Sequence, residues 1–277
     1  MINKTLNLKE LYPALAEGCC GQDTLLTVYA PENSQEIDSN RKRTAILILP
    51  GGSYFFTSDR EAEPIALSFL AKDFCCFVLR YSVAPSRYPQ ALLEVSAAMD
   101  YIRKNADEYH VNSDKIVVCG FSAGGHLAAS LGTLWNEDFI SETLGIAPKS
   151  NQPNGLVLCY PVISSESFGH ADSFNNLLGE NPSPALLEKL SAEKQVGAHT
   201  PPAFIWHTFV DDIVPAENAL VFASAMKRHD IPFELHIYSG GYHGMSLCND
   251  LCNGNPNASD SHMASWLDLC VEWIQRL

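Results

Sequence analysis

The chain has 277 residues, 46% of them apolar, which is ample for a buried core and excludes a disordered polymer. Lysine and arginine number 18 against 32 acidic residues, and the formal charge of −14 works against nucleic acid and anionic membrane surfaces as partners. A polyanionic substrate is disfavoured on the same ground.

From Met1 to Glu10 there is no long apolar segment and an acidic residue comes early, so neither a signal peptide nor a membrane anchor is expected, and a cytoplasmic location is. Strand-like and helix-like segments then alternate. Leu25 to Tyr29 and Thr44 to Leu49 read as strands, the second leading into Pro50-Gly51-Gly52-Ser53-Tyr54, which by itself is only a glycine-rich turn. A helix is expected over Ala62 to Ala71, a strand over Cys75 to Tyr81, a helix over Pro89 to Asn105 and a strand over Lys115 to Cys119. Next comes Gly120-Phe121-Ser122-Ala123-Gly124, a Gly-x-Ser-x-Gly run between that strand and a helix over Ala123 to Leu134. After a strand at Gly155 to Tyr160 the rhythm breaks. Ser164 to Thr200 is rich in Gly, Pro and Asn, with one short helical piece at Pro184 to Leu190, and reads equally as a surface loop or a lid. Strands resume at Ala203 to Thr208 and Phe233 to Tyr238, with helices at Ala216 to His229 and Ser259 to Gln275.

This alternation, with several strands that are continuous apolar runs, predicts an α/β fold: one domain, 1–277, built on a mainly parallel sheet with helices on both faces. No internal repeat or linker marks a second domain. The cysteines number nine, an odd count. Cys75, Cys76, Cys119 and Cys159 fall inside apolar runs, where a reduced thiol behaves as a small hydrophobe. Cys248 and Cys252 have the spacing of half a zinc site, but no second Cys/His pair matches, so an unliganded loop is expected and no metal. Phosphate-binding glycine motifs are missing from the sequence, and no cofactor is expected.

The strand-turn-helix setting gives the serine its meaning. A serine hydroxyl is a poor nucleophile at neutral pH and needs a base within hydrogen-bond reach, oriented in turn by a carboxylate. Sheets of this type present functional groups at strand carboxyl ends, in the chain order nucleophile, acid, histidine. Beyond the strand ending at Thr208 come Asp211 and Asp212. Asp211 is the favoured acid, with Asp212 solvated or capping the helix near Pro215. After the next strand, Gly240-Gly241-Tyr242-His243-Gly244 puts a histidine in a loop able to fold back over the sheet edge. His126, His207 and His236 lie within a helix or strands and are read as packing residues. The oxyanion of an acyl-transfer intermediate needs amide donors, expected from Ala123 and from Gly52 or Ser53.

These residues resemble the α/β-hydrolase superfamily, and more narrowly its carbohydrate-acetylesterase and bacterial carboxylesterase branch, related to the acetyl-xylan-esterase-like and hormone-sensitive-lipase-like esterases. Pro50-Gly51-Gly52-Ser53 stands where that branch usually has His-Gly-Gly-Gly. Arg80-Tyr81-Ser82-Val83-Ala84-Pro85, with Tyr88-Pro89 and Leu93, is similar to its Tyr-Arg-Leu-x-Pro segment. Gly120 to Ala128 matches closely, and Leu177-Leu178-Gly179, Ser191 and His207 to Pro215 resemble the acetylesterase-like group. The resemblance runs from about Leu25 to the C-terminus. It implies an α/β-hydrolase fold with 164–200 as a small insertion after the sixth strand and candidate lid. It also implies a serine carboxylesterase acting on short-chain acyl esters, acetyl foremost, on sugars or aryl alcohols. Substrate contacts are expected from Tyr54, Phe121 and His170, with Phe168, Asn175 and Asn176 as further candidates. Two alternatives stay open: an amide hydrolase of the aminopeptidase or arylformamidase type, and a non-catalytic binding protein on a hydrolase scaffold.

Overall fold

The computed structural model describes residues 1–253 and 259–277. Eight strands form one sheet: β1 (Ile2–Asn7), β2 (Leu25–Ala30), β3 (Arg43–Leu49), β4 (Cys75–Arg80), β5 (Val111–Phe121), β6 (Gly155–Cys159), β7 (Ala203–Thr208) and β8 (Phe233–Tyr238). Their spatial order is β1-β2-β4-β3-β5-β6-β7-β8. β2 runs antiparallel to both β1 and β4, and every pair from β4 onward is parallel. The expected mainly parallel sheet is therefore present, in the α/β-hydrolase order.

Alternation along each strand divides the core into two layers. Leu47, Leu49, Val118, Leu156, Leu158 and Ile205 face one side, under the helices Gln90–Lys104, Ala123–Leu134 and Glu217–Arg228. Ile46, Ile48, Cys119, Val157, Cys159, Phe204 and Trp206 face the other, under Glu63–Leu70 and Trp266–Arg276. Burial on both faces explains why these strands read as unbroken apolar runs. All nine cysteines are free thiols, and Cys20 alone among them is exposed.

β1 was not expected from the sequence. Its residues alternate between exposed and half-buried and include two asparagines, a lysine and a threonine, because an edge strand needs one partner's backbone and little burial. Two further differences are local. Short helices occur at Asp138–Leu144 and Ala171–Leu178, and the C-terminal helix is divided into Ser261–Ala264 and Trp266–Arg276. Among the described residues no helix is long and apolar enough to cross a membrane.

The insertion is tied down along its length. Asn218 accepts the amides of Ile163 and Ser164 and donates to the Phe168 carbonyl. Ala192 donates to Ile163, and Phe174, Leu177 and Leu190 are buried in the first core layer.

Candidate active site

β5 ends at Phe121 and the next helix begins at Ala123, so Ser122 alone makes the turn between them. It does so at φ +53°, ψ −118°, a conformation that costs a non-glycine residue about 1–3 kcal/mol and persists only when its surroundings fix it. They do: the Ser122 amide donates to Cys159, and its carbonyl accepts from the amides of His126 and Val162. Gly124 is required by the close approach of strand and helix, since a Cβ there would lie 2.1 Å from the Leu49 carbonyl oxygen.

The Ser122 hydroxyl is not used to cap the helix it precedes. Instead Oγ lies 2.8 Å from Nε2 of His243, and His243 Nδ1 lies 2.7 Å from Oδ2 of Asp211. With Nδ1–H donating to the carboxylate, Nε2 is left as an acceptor for the serine proton. Asp211 is fixed from both sides. Its Oδ1 accepts the amides of Ile213 and Val214, and its Oδ2 also lies 3.3 Å from Nε2 of His207, whose shorter bond is to the Val214 carbonyl at 2.7 Å. Burial acts to raise the pKa of Asp211, but the hydrogen bonds from His207, His243 and the Val214 amide outweigh it and hold the carboxyl well below its ordinary range. The side chain stays ionised. Asp212 is exposed, and the helix Glu217–Arg228 has no side-chain cap.

The expected oxyanion donors share one geometric property. In a trans peptide the N–H points away from the preceding carbonyl, so anchoring that carbonyl aims the amide. The carbonyl of Gly51 accepts from Ser58, that of Gly52 from Phe55 and Phe56, and that of Ser122 from His126 and Val162. These three anchored carbonyls set the directions of the Gly52, Ser53 and Ala123 amides, none of which has an acceptor among the described residues. The loop also passes close to the serine: a Cβ on Gly51 would lie 2.9 Å from the Cβ of Ser122. Gly52 itself, at φ +130°, has no room for a side chain, because a Cβ would meet the Phe56 carbonyl oxygen at 2.1 Å.

The side chains of two expected substrate contacts are buried. Tyr54 is 2% exposed and its hydroxyl donates to Nδ1 of His126 at 2.8 Å, so it holds the loop from inside. Phe121 is fully buried against Tyr160 and Trp266, because its side chain follows the strand alternation into the second core layer. His170 does reach the surface beside the loop of Gly52 and Ser53. It lines a cavity of about 380 Å³ with Gly52, Ser53, Phe55, Phe56, Asp172, Asn175 and Asn176. Burial lowers its pKa, with Asp172 pulling in the opposite direction. Phe168, half-buried, does not line this cavity.

Several residues at the site make contacts that the sequence does not signal. Asn176 donates its side-chain amide to the Ser53 carbonyl at 2.9 Å. His126, placed correctly in a helix, uses both ring nitrogens: Nδ1 accepts from Tyr54, and Nε2–H donates to the Leu190 carbonyl at 2.8 Å. Burial depresses its pKa to about 4. Glu61 and Tyr160 form a buried bridge behind the serine. In sequence Glu61 belongs to the polar run Ser58-Asp59-Arg60-Glu61, which carries no motif, and Tyr160 to an apolar strand. A hydroxyl, an imidazole and a carboxylate in line, beside amides without acceptors, are the components of acyl transfer.

Comparison with known proteins gives a consistent picture. The family model described as BD-FAE matches residues 26–226. Endo-1,4-beta-xylanase B of Butyrivibrio fibrisolvens is 39% identical over 213 residues, which are 76% of this chain and 33% of that protein. An acetylxylan esterase of Xylanibacter ruminicola is 30% identical over 217 residues, 76% of this chain and 43% of the relative. The chain thus spans between a third and a half of the length of these two curated relatives. Among solved structures, an acetyl ester-xyloside bifunctional hydrolase from Caldicellulosiruptor lactoaceticus superposes with a TM-score of 0.84 at 34% identity, covering 99% of this chain and 96% of the other. A carboxylesterase from Lactobacillus plantarum superposes at 0.79 with 25% identity, over 99% and 96%.

Proposed function

The chain belongs to the BD-FAE family, within the carboxylic ester hydrolase branch of the α/β-hydrolase fold, and from that premise we propose that it removes short acyl groups, acetyl foremost, from hydroxyl-bearing substrates that include sugars. The observation that carries this reading is the line Ser122 Oγ, His243 Nε2, His243 Nδ1, Asp211 Oδ2, with separations of 2.8 and 2.7 Å at its two hydrogen bonds.

In this mechanism Ser122 Oγ attacks the acyl carbon as its proton passes to His243 Nε2. The carbonyl electron pair moves onto oxygen, where the Ala123 amide and that of Gly52 or Ser53 receive the charge. Collapse of this intermediate breaks the bond to the alcohol, which leaves with the proton from His243, and the acyl group remains on Ser122. Water then attacks the acyl-enzyme with His243 as base, releasing the acid and restoring the serine. Asp211 stays ionised and stabilises the imidazolium formed in each half.

Sugar esters are favoured over plain alkyl esters by the cavity beside the oxyanion loop. It sets the exposed rings of Phe55 and Phe56 near the hydrogen-bonding groups of His170, Asp172 and Asn175, apolar faces and polar groups being what a pyranose presents. The names of the xylanase and acetylxylan esterase relatives point the same way. Segment 164–200, as part of the same single domain, forms one wall of this cavity.

The test is hydrolysis of p-nitrophenyl acetate by the wild type and by Ser122→Ala, with labelling by a fluorophosphonate probe. Turnover and labelling are expected in the wild type and lost in the variant; turnover that survives would remove Ser122 as nucleophile. A series of p-nitrophenyl esters, acetylated xylo-oligosaccharides and p-nitroacetanilide then separates acetyl from longer acyl groups, sugar from aryl esters, and ester from amide cleavage.

A further inference from the structure

Behind the serine lies a carboxylate without an ion-pair partner among the described residues. Glu61 is 3% exposed, and each of its oxygens accepts one hydrogen bond: Oε2 from the Gly51 amide at 2.8 Å, Oε1 from the Tyr160 hydroxyl at 2.7 Å. The Tyr160 oxygen in turn accepts the Ser246 amide at 2.9 Å, and the Ser246 hydroxyl donates to the carbonyl of Arg60, the residue next to Glu61. The Tyr160 ring packs edge-on against the imidazole of His243, centroids 5.2 Å apart. One carboxylate therefore joins the loop of Gly52 and Ser53 to the loop of His243 through a closed circuit of hydrogen bonds.

On the serine-hydrolase reading, we propose that Glu61 is a positioning residue for transition-state stabilisation: by holding the Gly51 amide and, through Tyr160, the Ser246 amide, it keeps the oxyanion donors and the base in register. An ionised carboxylate suits this position because both partners are donors, and only a group that accepts at both ends satisfies them. Glutamine has the same shape but offers a donor at one end. It must either oppose the Gly51 amide or turn the Tyr160 hydroxyl away. An oxyanion exists only in the transition state and intermediates, so a displaced donor lowers kcat while leaving ground-state binding nearly unchanged.

The experiment measures kcat and KM for p-nitrophenyl acetate in the wild type, Glu61→Gln, Tyr160→Phe and the double variant, with rates normalised to sites labelled exhaustively by the fluorophosphonate probe. Glu61→Gln is expected to lower kcat 10- to 100-fold with KM within about threefold. Tyr160→Phe should lower kcat three- to tenfold, and the double variant should lose no more than Glu61→Gln alone, since both act through one circuit. A kcat within twofold of the wild type in Glu61→Gln, a loss carried by KM, or fully multiplicative losses would overturn the proposal. Where Glu61→Gln fails to fold, Tyr160→Phe decides, and an unchanged kcat there overturns it. Failure of the serine reading is seen separately, as undiminished turnover in Ser122→Ala.

Discussion

Asn176, in the insertion, donates its side-chain amide to the carbonyl of Ser53, in the loop that follows β3, at 2.9 Å. The insertion is also held here from a second segment: Arg87 donates to the Asn176 carbonyl, and the Tyr88 amide to that of Leu177 at 2.9 Å. A segment that looks like an accessory in sequence is hydrogen-bonded to the loop proposed to supply oxyanion donors. Removing one such bond is worth about 1 kcal/mol. Asn176→Ala should therefore lower kcat three- to tenfold for p-nitrophenyl and sugar acetates alike. Asn175→Ala, which alters the cavity without touching the loop, should weaken sugar acetates more than p-nitrophenyl acetate. Parallel kcat/KM measurements on both substrates check the contrast.

The two adjacent acids give a sharper contrast. Asp211→Asn keeps an oxygen for the amides of Ile213 and Val214 but removes the charge facing His243. It should fold normally and lose roughly 10³- to 10⁴-fold in kcat. Asp212 is exposed and makes none of these contacts, so Asp212→Asn should stay within twofold. Equal losses in both variants would place the carboxylate's role elsewhere.

Gly52 tests the loop's backbone. A methyl group there meets the Phe56 carbonyl oxygen at 2.1 Å in a conformation that L residues rarely adopt, so Gly52→Ala must displace the loop. Loss of one oxyanion donor typically lowers the rate 10²- to 10³-fold. That loss is expected in kcat, with the thermal midpoint changed far less than in Gly124→Ala. There a Cβ would meet the backbone of β3 at 2.1 Å, and destabilisation of ~3 kcal/mol is expected. Calorimetry beside steady-state kinetics separates the two.

His126 makes stability depend on pH. Buried between Tyr54 and Leu190, it has a pKa depressed from 6.5 to about 4, so it is neutral in the folded protein where the unfolded chain is already protonated. Between these values the unfolded state binds more protons, and stability rises with pH. The contribution is fully present above about 6.5 and is lost progressively as the pH falls toward about 4, amounting to ~3 kcal/mol. His126→Gln retains an acceptor and a donor but does not titrate. Urea denaturation of both proteins from pH 4 to 7 should show a shallower dependence in the variant, by about one proton over that interval.

Features that depend on local spacing were legible in the sequence. Continuous apolar runs at strand length and apolar periodicity at helical length fixed the alternation of β3 to β8 with their helices, since burial on two faces leaves that pattern in any chain. The serine turn was equally legible, because Gly120 and Gly124 allow a close approach that few other residues permit. The order Ser122, Asp211, His243 is the one that the resemblance to α/β-hydrolases implies for nucleophile, acid and base. β1 escaped because an edge strand pairs through its backbone and leaves no apolar signature. Features that depend on direction, and on contacts distant in the chain, were decided by the tertiary structure. Asp211, the acid that the sequence favours, meets His243 and Asp212 does not, since a one-residue step turns the side chain from the core to solvent. Tyr54 and Phe121 point inward, and Glu61, an ordinary acid in a polar run, joins Gly51 to Tyr160, which lies 99 residues beyond Glu61 in the chain. Such hydrogen bonds are made by whatever side chain folding brings within about 3 Å, and no local pattern records them.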